Sequence, residues 1–123
     1  MKNKPTDSEL EILALLWQNG PSSVREVHEA LSSSKDVFYT TTLKTMQVML
    51  DKGFVDRDTS SRSHIYRALI SQSSVQKNLL QKLKQNVFGG STEQLILSAL
   101  GTDQPSDEDL ELIQSLIDKM KND

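Results

Sequence analysis

The sequence predicts a mainly α-helical protein, with a winged helix-turn-helix over residues 1–70 followed by a helical arm over residues 71–123. Three observations support this prediction. Apolar side chains recur at helical spacing in three short segments of the first half. An alternating stretch behind the third segment, "FVDRDTSSRSHIYRAL", is typical of one β-hairpin. Beyond Ile70 the strand signals end, and only helical patterns remain.

Each of the first two helices is expected to begin with a capping box. In this pattern an N-cap hydroxyl and a carboxylate three residues later bond each other's backbone amides. Thr6 with Glu9 has this spacing, and so does Ser23 with Glu26. Asn19-Gly20-Pro21 ends the first helix, because glycine and proline interrupt helical structure. The expected ranges of the two helices are 7–18 and 24–31.

The third helix is expected over residues 40–52. Lys52 complements the negative end of the helix dipole, and Gly53 suits the left-handed conformation that commonly ends a helix. The apolar positions expected to face inward are Leu43, Met46, Met49 and Leu50. A hairpin follows. Its first strand begins at Phe54 and Val55, its polar tip is 59–63, and its returning strand carries Ile65, Tyr66 and Leu69.

The arm is expected to hold three further helices. One runs from Ser74 to Val87, a second is capped by Ser91 behind Gly89-Gly90, and a third is capped by Ser106 behind Pro105. Such an arm has little core of its own, so we expect its apolar side chains to be buried against another surface. A second copy of the chain is the simplest candidate. The predicted dimerisation residues are Leu79, Leu83, Leu95, Ile96, Leu100, Leu112, Ile113, Leu116 and Ile117.

The composition is that of a soluble globular protein, with 36% apolar and 25% charged residues. No apolar run approaches the roughly 18 residues that a membrane helix needs. The first ten residues have no apolar stretch behind their lysines, so we expect no secretory signal and a cytoplasmic location. The net charge of -3 comes from residues 71–123, whereas residues 1–70 are neutral. We therefore expect the arm not to lie on a polyanion.

A helix that enters the DNA major groove uses its first turns to reach base edges and phosphates. The third helix begins with three threonines, although threonine is a mediocre helix former. The candidate DNA contacts on this helix are Thr40, Thr41, Thr42, Lys44 and Thr45. The alternative is that one threonine caps the helix and the others are ordinary surface residues. The charge of Lys44 and the hairpin behind it favour DNA.

Two arginines outside this helix are further candidates for phosphate contacts. Arg62 lies at the hairpin tip, with no acidic residue within three positions. Arg25 stands in the first turn of the second helix, where a cation is unfavourable for the helix dipole and so suggests an external anion. Arg57 is different, because it is flanked by Asp56 and Asp58. We expect those carboxylates to cancel its charge.

Catalytic and metal-binding interpretations find little support. His28 and His64 lack the partner residues that a general base needs. The acidic stretch 107–118 faintly resembles a calcium loop, but Leu112 occupies the sixth position, where glycine is required. The chain has no cysteine, which excludes disulfides, thiolate metal sites and cysteine nucleophiles. We expect no catalytic residue, no metal and no cofactor.

Four stretches together resemble the penicillinase-repressor family (BlaI/MecI type) over nearly the whole chain. They are "PTDSELEILALLWQNGPSSVREVHEAL", "YTTTLKTMQVMLDKGFVDRD", "HIYRALIS" and "VFGGSTEQLILSAL". The resemblance implies a homodimeric transcriptional repressor, whose winged helix binds a palindromic operator in double-stranded DNA and whose C-terminal helices form the dimer. It also implies DNA contacts from Tyr39, Thr40, Thr41 and Lys44 on the recognition helix and from Arg62 on the wing.

The resemblance further implies a sensor protease as a partner. In the best-known members a membrane sensor for β-lactams triggers proteolysis in the dimerisation arm. Counted from Gly89-Gly90, the Asn-Phe bond cut in those members falls at Ser98-Ala99, which has neither residue. A related branch senses copper through a cysteine-rich tail, and that mechanism is excluded here because soft thiolate ligands are absent.

Two other classes of function stay open at this point. A winged helix can serve as a docking surface in a protein-interaction adaptor, since the fold alone does not decide function. DNA binding weakens steeply with ionic strength, whereas docking through an apolar face does not, so salt dependence separates the two. A small hydrolase is the weakest alternative, because the sequence has no nucleophile-base pair.

Overall fold

The computed structural model describes residues 4–101 and 106–122. Over these residues the chain forms six helices and three short strands, which confirms the predicted mainly helical winged fold. The elements in chain order are α1 (Asp7–Asn19), β1 (Ser22–Ser23), α2 (Val24–Ser32), α3 (Tyr39–Lys52), β2 (Val55–Asp58), β3 (Ile65–Ala68), α4 (Gln72–Asn86), α5 (Thr92–Ala99) and α6 (Asp107–Lys121). The chain divides into two compact units, Met1–Gln76 and Lys77–Asp123.

Both predicted capping boxes are present. The Thr6 hydroxyl accepts a hydrogen bond from the Glu9 amide, and the Glu9 carboxylate accepts one from the Thr6 amide. Ser23 and Glu26 make the same reciprocal pair at the start of α2. These bonds satisfy amides that have no partner inside the helix, so each box fixes where its helix begins.

The sheet has three antiparallel strands in the order β1-β3-β2, and its first strand is an addition to the predicted hairpin. β1 is only two residues long and pairs Ser22 with Tyr66 and Ser23 with Ile65. A strand of two residues is too short to show an alternating pattern, so the sequence gives no sign of it. Leu69 lies just past β3, although its amide still donates to the Phe54 carbonyl at 2.9 Å.

The first unit has one hydrophobic core, built from α1, α2, α3 and the sheet. The buried apolar residues are Ile12, Leu13, Leu16, Val24, Val27, Leu31, Met46, Met49, Phe54, Val55 and Tyr66. Leu43 and Leu50 pack against this core while half-buried, so the predicted inward face of α3 is confirmed. The indole of Trp17 donates to the Ile70 carbonyl at 3.0 Å, which joins α1 to the end of the hairpin.

The second unit contains α4 from Lys77 onward, together with α5 and α6. Ser91 and Ser106 cap α5 and α6 as predicted, each accepting from the amide three residues on. Pro105, the predicted boundary before α6, lies outside the described residues. Among the residues of this unit that the structure describes, no side chain is fully buried. The unit therefore leaves several large apolar side chains exposed within one chain.

Candidate nucleic-acid interface

The exposed N-terminal half of α3 is the first part of the candidate site. The N-cap is Phe38 in an extended conformation, and it makes no side-chain capping bond. The alternative that a threonine caps this helix is therefore wrong. The first turn also has no acidic residue. Thr40, Thr41 and Lys44 are exposed, and Tyr39 is 45% exposed, so this end of the helix is open to an external partner.

Thr42 does not belong to this surface, which corrects its prediction as a DNA contact. Its side chain is 1% exposed, and Oγ1 lies 3.1 Å from Nδ1 of His28 on α2. Position 42 falls on the same side of α3 as the buried Met46, four residues later, because side chains at this spacing lie one above the other. Thr42 therefore joins two helices inside the protein.

His28 is the centre of the contact between α2 and α3. Besides Thr42, its Nε2 lies 3.3 Å from the Ser32 hydroxyl. Its ring meets the Tyr39 ring edge-on, with the centroids 5.4 Å apart. With both ring nitrogens and one ring edge engaged, His28 holds the start of α3 against α2. This is a packing role, which agrees with the lack of a catalytic partner residue for His28 in the sequence.

A groove of about 620 Å³ opens between the start of α2, the side of α3 and the wing, which is the hairpin of β2 and β3 (residues 55–68). Four basic side chains line it: Arg25, Arg57, Arg62 and His64. Its other lining residues are Ser23, Val24, Tyr39, Leu43, Gln47, Ser63 and Tyr66. No aspartate or glutamate is among these described lining residues. A concave surface with basic groups and no carboxylate favours a polyanion.

Arg57 corrects a second expectation from the sequence. Asp56 does not neutralise it but pairs with Arg67 at 2.9 Å, and this hydrogen bond from Arg67 holds the pKa of the Asp56 carboxyl below its usual range. Arg57 lies instead over the Tyr66 ring, 6.0 Å from the centroid, with Nη1 3.5 Å from the Tyr66 hydroxyl. Asp58 accepts a hydrogen bond from the Ser60 amide.

The alternation of the hairpin explains this placement. Arg57 is opposite Tyr66 and Asp56 is opposite Arg67, and successive residues of a strand point to opposite faces. Arg57 therefore faces the groove, while the Asp56–Arg67 pair faces away from it. The expectation that Asp56 and Asp58 cancel the charge of Arg57 was wrong because residues adjacent in a strand lie on opposite faces of the sheet. The alternation of side chains along a strand does predict it, because the neighbours Asp56 and Arg57 must point to opposite faces.

The predicted DNA contacts on α3 occupy two sides of the helix. Tyr39 lines the groove together with Arg25 and Arg62. A second depression, next to Thr6 and Ser8 at the start of α1, is lined by Thr40, Thr41, Lys44 and Thr45. The Thr45 hydroxyl donates to the Thr41 carbonyl at 2.9 Å. Seven of the eight candidates thus lie around the accessible end of α3, and Gln47 joins them as a residue that the sequence did not single out.

The C-terminal end of α3 is anchored by an ion pair with α1. Nζ of Lys52 lies 2.8 and 3.1 Å from the two carboxylate oxygens of Glu9. Burial acts to raise the pKa of Glu9, but hydrogen bonds from Lys52 and Thr6 outweigh it and hold this pKa below its ordinary value. Only 3% of Glu9 is exposed, so this ion pair holds the C-terminal end of α3 against α1 at the edge of the core.

The sequence profile of the penicillinase repressor family matches residues 5–119. The chain belongs to this family. It is 26% identical to the penicillinase repressor of Bacillus licheniformis, over 99% of this chain and 97% of that protein. It is 38% identical to the transcriptional regulator BlaI of Mycobacterium tuberculosis over 61 residues, which are 49% of this chain and 44% of that regulator.

Membership in the penicillinase repressor family makes the chain a transcriptional repressor rather than an enzyme, because the family and the two relatives named above are repressors or regulators of transcription. Across residues 4–101 and 106–122, no cluster of three or more histidine or acidic side chains is arranged to hold a metal ion. Over the same ranges, no helix is both long and apolar enough to cross a membrane.

Proposed function

We propose that this repressor acts as a homodimer on a palindromic operator, with α3 in the major groove and the wing beside the phosphate backbone. The observation that carries the proposal is the groove between α3 and the wing, where three arginines and a histidine meet without a carboxylate among the described lining residues. Guanidinium groups suit phosphate because they donate paired hydrogen bonds and keep their charge.

The contacts divide by their chemistry. Lys44 and the hydroxyls of Thr40 and Thr41 lie on the exposed first turns of α3, where a helix in the major groove meets base edges and phosphates. Arg62 is exposed at the wing tip, and Arg25 is exposed at the start of α2. These two arginines line the same groove beside α3, so they are suited to the phosphate backbone next to that side of the helix.

Dimerisation is proposed from the uncovered arm. Of the nine predicted residues, Leu83, Ile96, Leu112, Leu116 and Ile117 are 40% to 60% exposed, and the other four are half-buried. An apolar surface of this kind is stabilised by burial against a partner, and a second copy gives a closed symmetric pair. Two recognition helices would then meet half-sites about 34–36 Å apart, or a multiple of that distance.

Release of the operator is proposed to act through the arm, in the cytoplasm where the operator lies. Linking two half-site contacts raises affinity by roughly a hundredfold or more, so any event that separates the arms would release DNA. A sensor protease is one such partner. The Asn-Phe bond cut in the best-known members falls here at Ser98-Ala99, the last two residues of α5. Because neither residue matches, a protease would have to cut a different bond.

The test is binding to promoter DNA upstream of the protein's own gene, by gel shift at several salt concentrations with footprinting of each complex. We expect a protected palindrome and a steep loss of affinity with salt, with a slope near 0.9 for each phosphate neutralised. Absence of protection at low salt, from protein shown to be folded and dimeric, would overturn the proposal.

One observation favours a protein-docking function as a second candidate. Phe38, directly before α3, is 80% exposed, and large apolar side chains on a surface can mark a docking site. An adaptor of this kind would bind its partner through Phe38 with little salt dependence. The salt series therefore distinguishes the two candidates, and substitution of Phe38 by serine should impair the adaptor but leave the salt slope of operator binding unchanged.

A further inference from the structure

Gln47 is an exposed neutral residue on the face of α3 that carries the proposed DNA contacts. It continues the stripe of exposed residues Thr40, Lys44, Gln47 and Asp51, whose spacing of four, three and four keeps them on one side of a helix. Its side-chain amide makes no hydrogen bond or ring contact within the described part of the chain. Its side chain is therefore available to an external partner.

The position of Gln47 suits a base edge better than a phosphate. It lines the groove together with Arg25, Arg57 and Arg62, so charged groups for the phosphates are already present around it. About 10 Å of helix axis separates residue 47 from Thr40, at about 1.5 Å per residue. That length is comparable with the major groove, which is about 12 Å wide. Residue 47 therefore stays within reach of the groove floor.

Asp51 is the residue of the stripe least suited to a phosphate contact. Its exposed carboxylate would be repelled by phosphates, so this end of α3 must rise away from the backbone. Gln47 is then the last residue of the stripe whose side chain can both donate and accept hydrogen bonds at a base edge. Val48, the next residue, is half-buried and apolar, and it offers no hydrogen bond.

We propose that Gln47 reads one adenine in each operator half-site, through paired hydrogen bonds to N7 and N6. The amide nitrogen donates to N7 and the amide oxygen accepts from the N6 amino group, a match that no other base offers in the major groove. This inference rests on the proposed function. It adds that sequence preference at one position depends on a residue that contributes nothing to the salt dependence.

The test begins with selection of operator sequences from a random duplex pool by the wild-type protein. Every base of one selected half-site is then replaced in turn, and binding is measured for wild type and for Gln47→Met, which keeps the length of the side chain but removes both polar groups. We expect wild type to discriminate against non-adenine bases by about 5- to 150-fold at one position. The Met variant should lose that preference with its salt slope unchanged.

Two further variants test whether the effect is specific to the side chain at position 47. Gln47→Glu keeps the shape but only accepts hydrogen bonds, so its preference at the same position should move from adenine towards cytosine. Gln18→Met is the matched control, because Gln18 is an exposed glutamine on α1 that does not line the groove. It should bind every sequence as wild type does.

The contrary outcomes are distinct. Unchanged base preferences in Gln47→Met, or an equal loss of affinity for all sequences, would overturn the assignment of Gln47 while leaving the repressor proposal intact. Failure of the folded wild-type protein to select any sequence would overturn the proposed function and this assignment together. Circular dichroism of each variant confirms that the helix content is retained.

Discussion

At the scale of single residues, two arginines on the wing differ in what they face. Arg57 lies over Tyr66 in the groove, whereas Arg67 pairs with Asp56 on the opposite face. Arg57 and Arg67 belong to adjacent strands and carry the same charge, so Arg67 is a matched control for Arg57. If the wing attracted DNA only through its overall charge, replacing either arginine would weaken binding. If a contact is made in the groove, only replacement of Arg57 would weaken it.

We therefore expect Arg57→Gln to weaken operator binding by about tenfold or more, because a charge-assisted contact to phosphate is lost. The salt slope should fall by about 0.9 for each half-site, or about 1.8 for the dimer. Arg67→Gln should leave both quantities near their wild-type values. Fluorescence anisotropy over a salt series measures them, and equal effects of the two variants would contradict the placement of Arg57 at the interface.

The neighbouring threonines offer a second contrast. Thr41 is exposed, while Thr42 is buried against His28. Replacing Thr42 by valine keeps the shape and removes the hydroxyl, which should lower the free energy of unfolding by about 1 kcal/mol. Thr41→Val should change stability by less than about 0.5 kcal/mol, since it alters only a surface position.

Operator binding should show the reverse order for these two variants. Thr41→Val is expected to lose about 2- to 10-fold in affinity for each hydroxyl contact that it removes. Thr42→Val should bind with unchanged affinity at a temperature where it is fully folded. Urea unfolding followed by anisotropy on the same samples gives both numbers. A Thr42→Val protein of wild-type stability would show that the bond to His28 contributes little.

At the scale of elements, the sequence predicts best what local interactions determine. Both capping boxes depend on residues three positions apart, so Thr6 with Glu9 and Ser23 with Glu26 could be read directly and are confirmed. The end of α3 at Gly53 is likewise local, because a left-handed cap favours glycine. These features need no knowledge of distant partners.

The features that sequence reasoning missed depend on contacts far apart in the chain. β1 exists because Ser22 and Ser23 pair with β3, more than forty residues later. Thr42 is buried because α2 brings His28 against it. Arg57 faces the groove because of its register with Tyr66. In each case the residue type left the environment open, and only the packing of two elements determined it.

The ion pair between α1 and α3 makes a prediction about acid stability. Since the pKa of Glu9 is held below its ordinary value, the ionised carboxylate contributes stability that is complete above about pH 4.3, its unfolded value. That contribution is lost as the pH falls through the lower native value. Glu9→Gln should be less stable than wild type by roughly 1–3 kcal/mol at pH 7, and the difference should shrink below about pH 4.

The matched control for this prediction is Glu11→Gln. Glu11 also pairs with a lysine, Lys35, at 2.6 Å, but both side chains are more than two-fifths exposed. Solvent screens such a pair, so its loss should cost no more than about 1 kcal/mol. Urea unfolding at a series of pH values measures both variants. A stability difference for Glu9→Gln that is constant with pH would contradict the role assigned to the ionised pair.

At the scale of the whole molecule, charge and burial divide along the chain. Residues 1–70 are neutral overall and lie in the unit that has the buried core, so the basic groove does not reflect a basic domain. Residues 71–123 carry the whole net charge of -3. An acidic arm is repelled by DNA and is left available for a protein contact, which is consistent with separate roles in reading and in assembly.

The two faces of α6 allow that separation to be tested with one added charge. Leu112, Leu116 and Met120 lie on its apolar face, and Ser115 lies on the polar face with Glu111. Leu116→Asp places a carboxylate where the partner is proposed to pack, whereas Ser115→Asp adds the same charge where no partner is needed. Burial of an unpaired charge is costly, so only Leu116→Asp should shift the protein towards monomers.

Light scattering measures the oligomeric state, and anisotropy measures binding to a full operator and to a single half-site. We expect Leu116→Asp to lose about a hundredfold or more in affinity for the full operator, because the second contact is no longer intramolecular. Its affinity for the half-site should equal that of a wild-type monomer, since the reading surface is unchanged. Ser115→Asp should remain dimeric and bind as wild type. If Leu116→Asp stayed dimeric with full affinity, the arm would not assemble through this face of α6, and the uncovered leucines would need another partner.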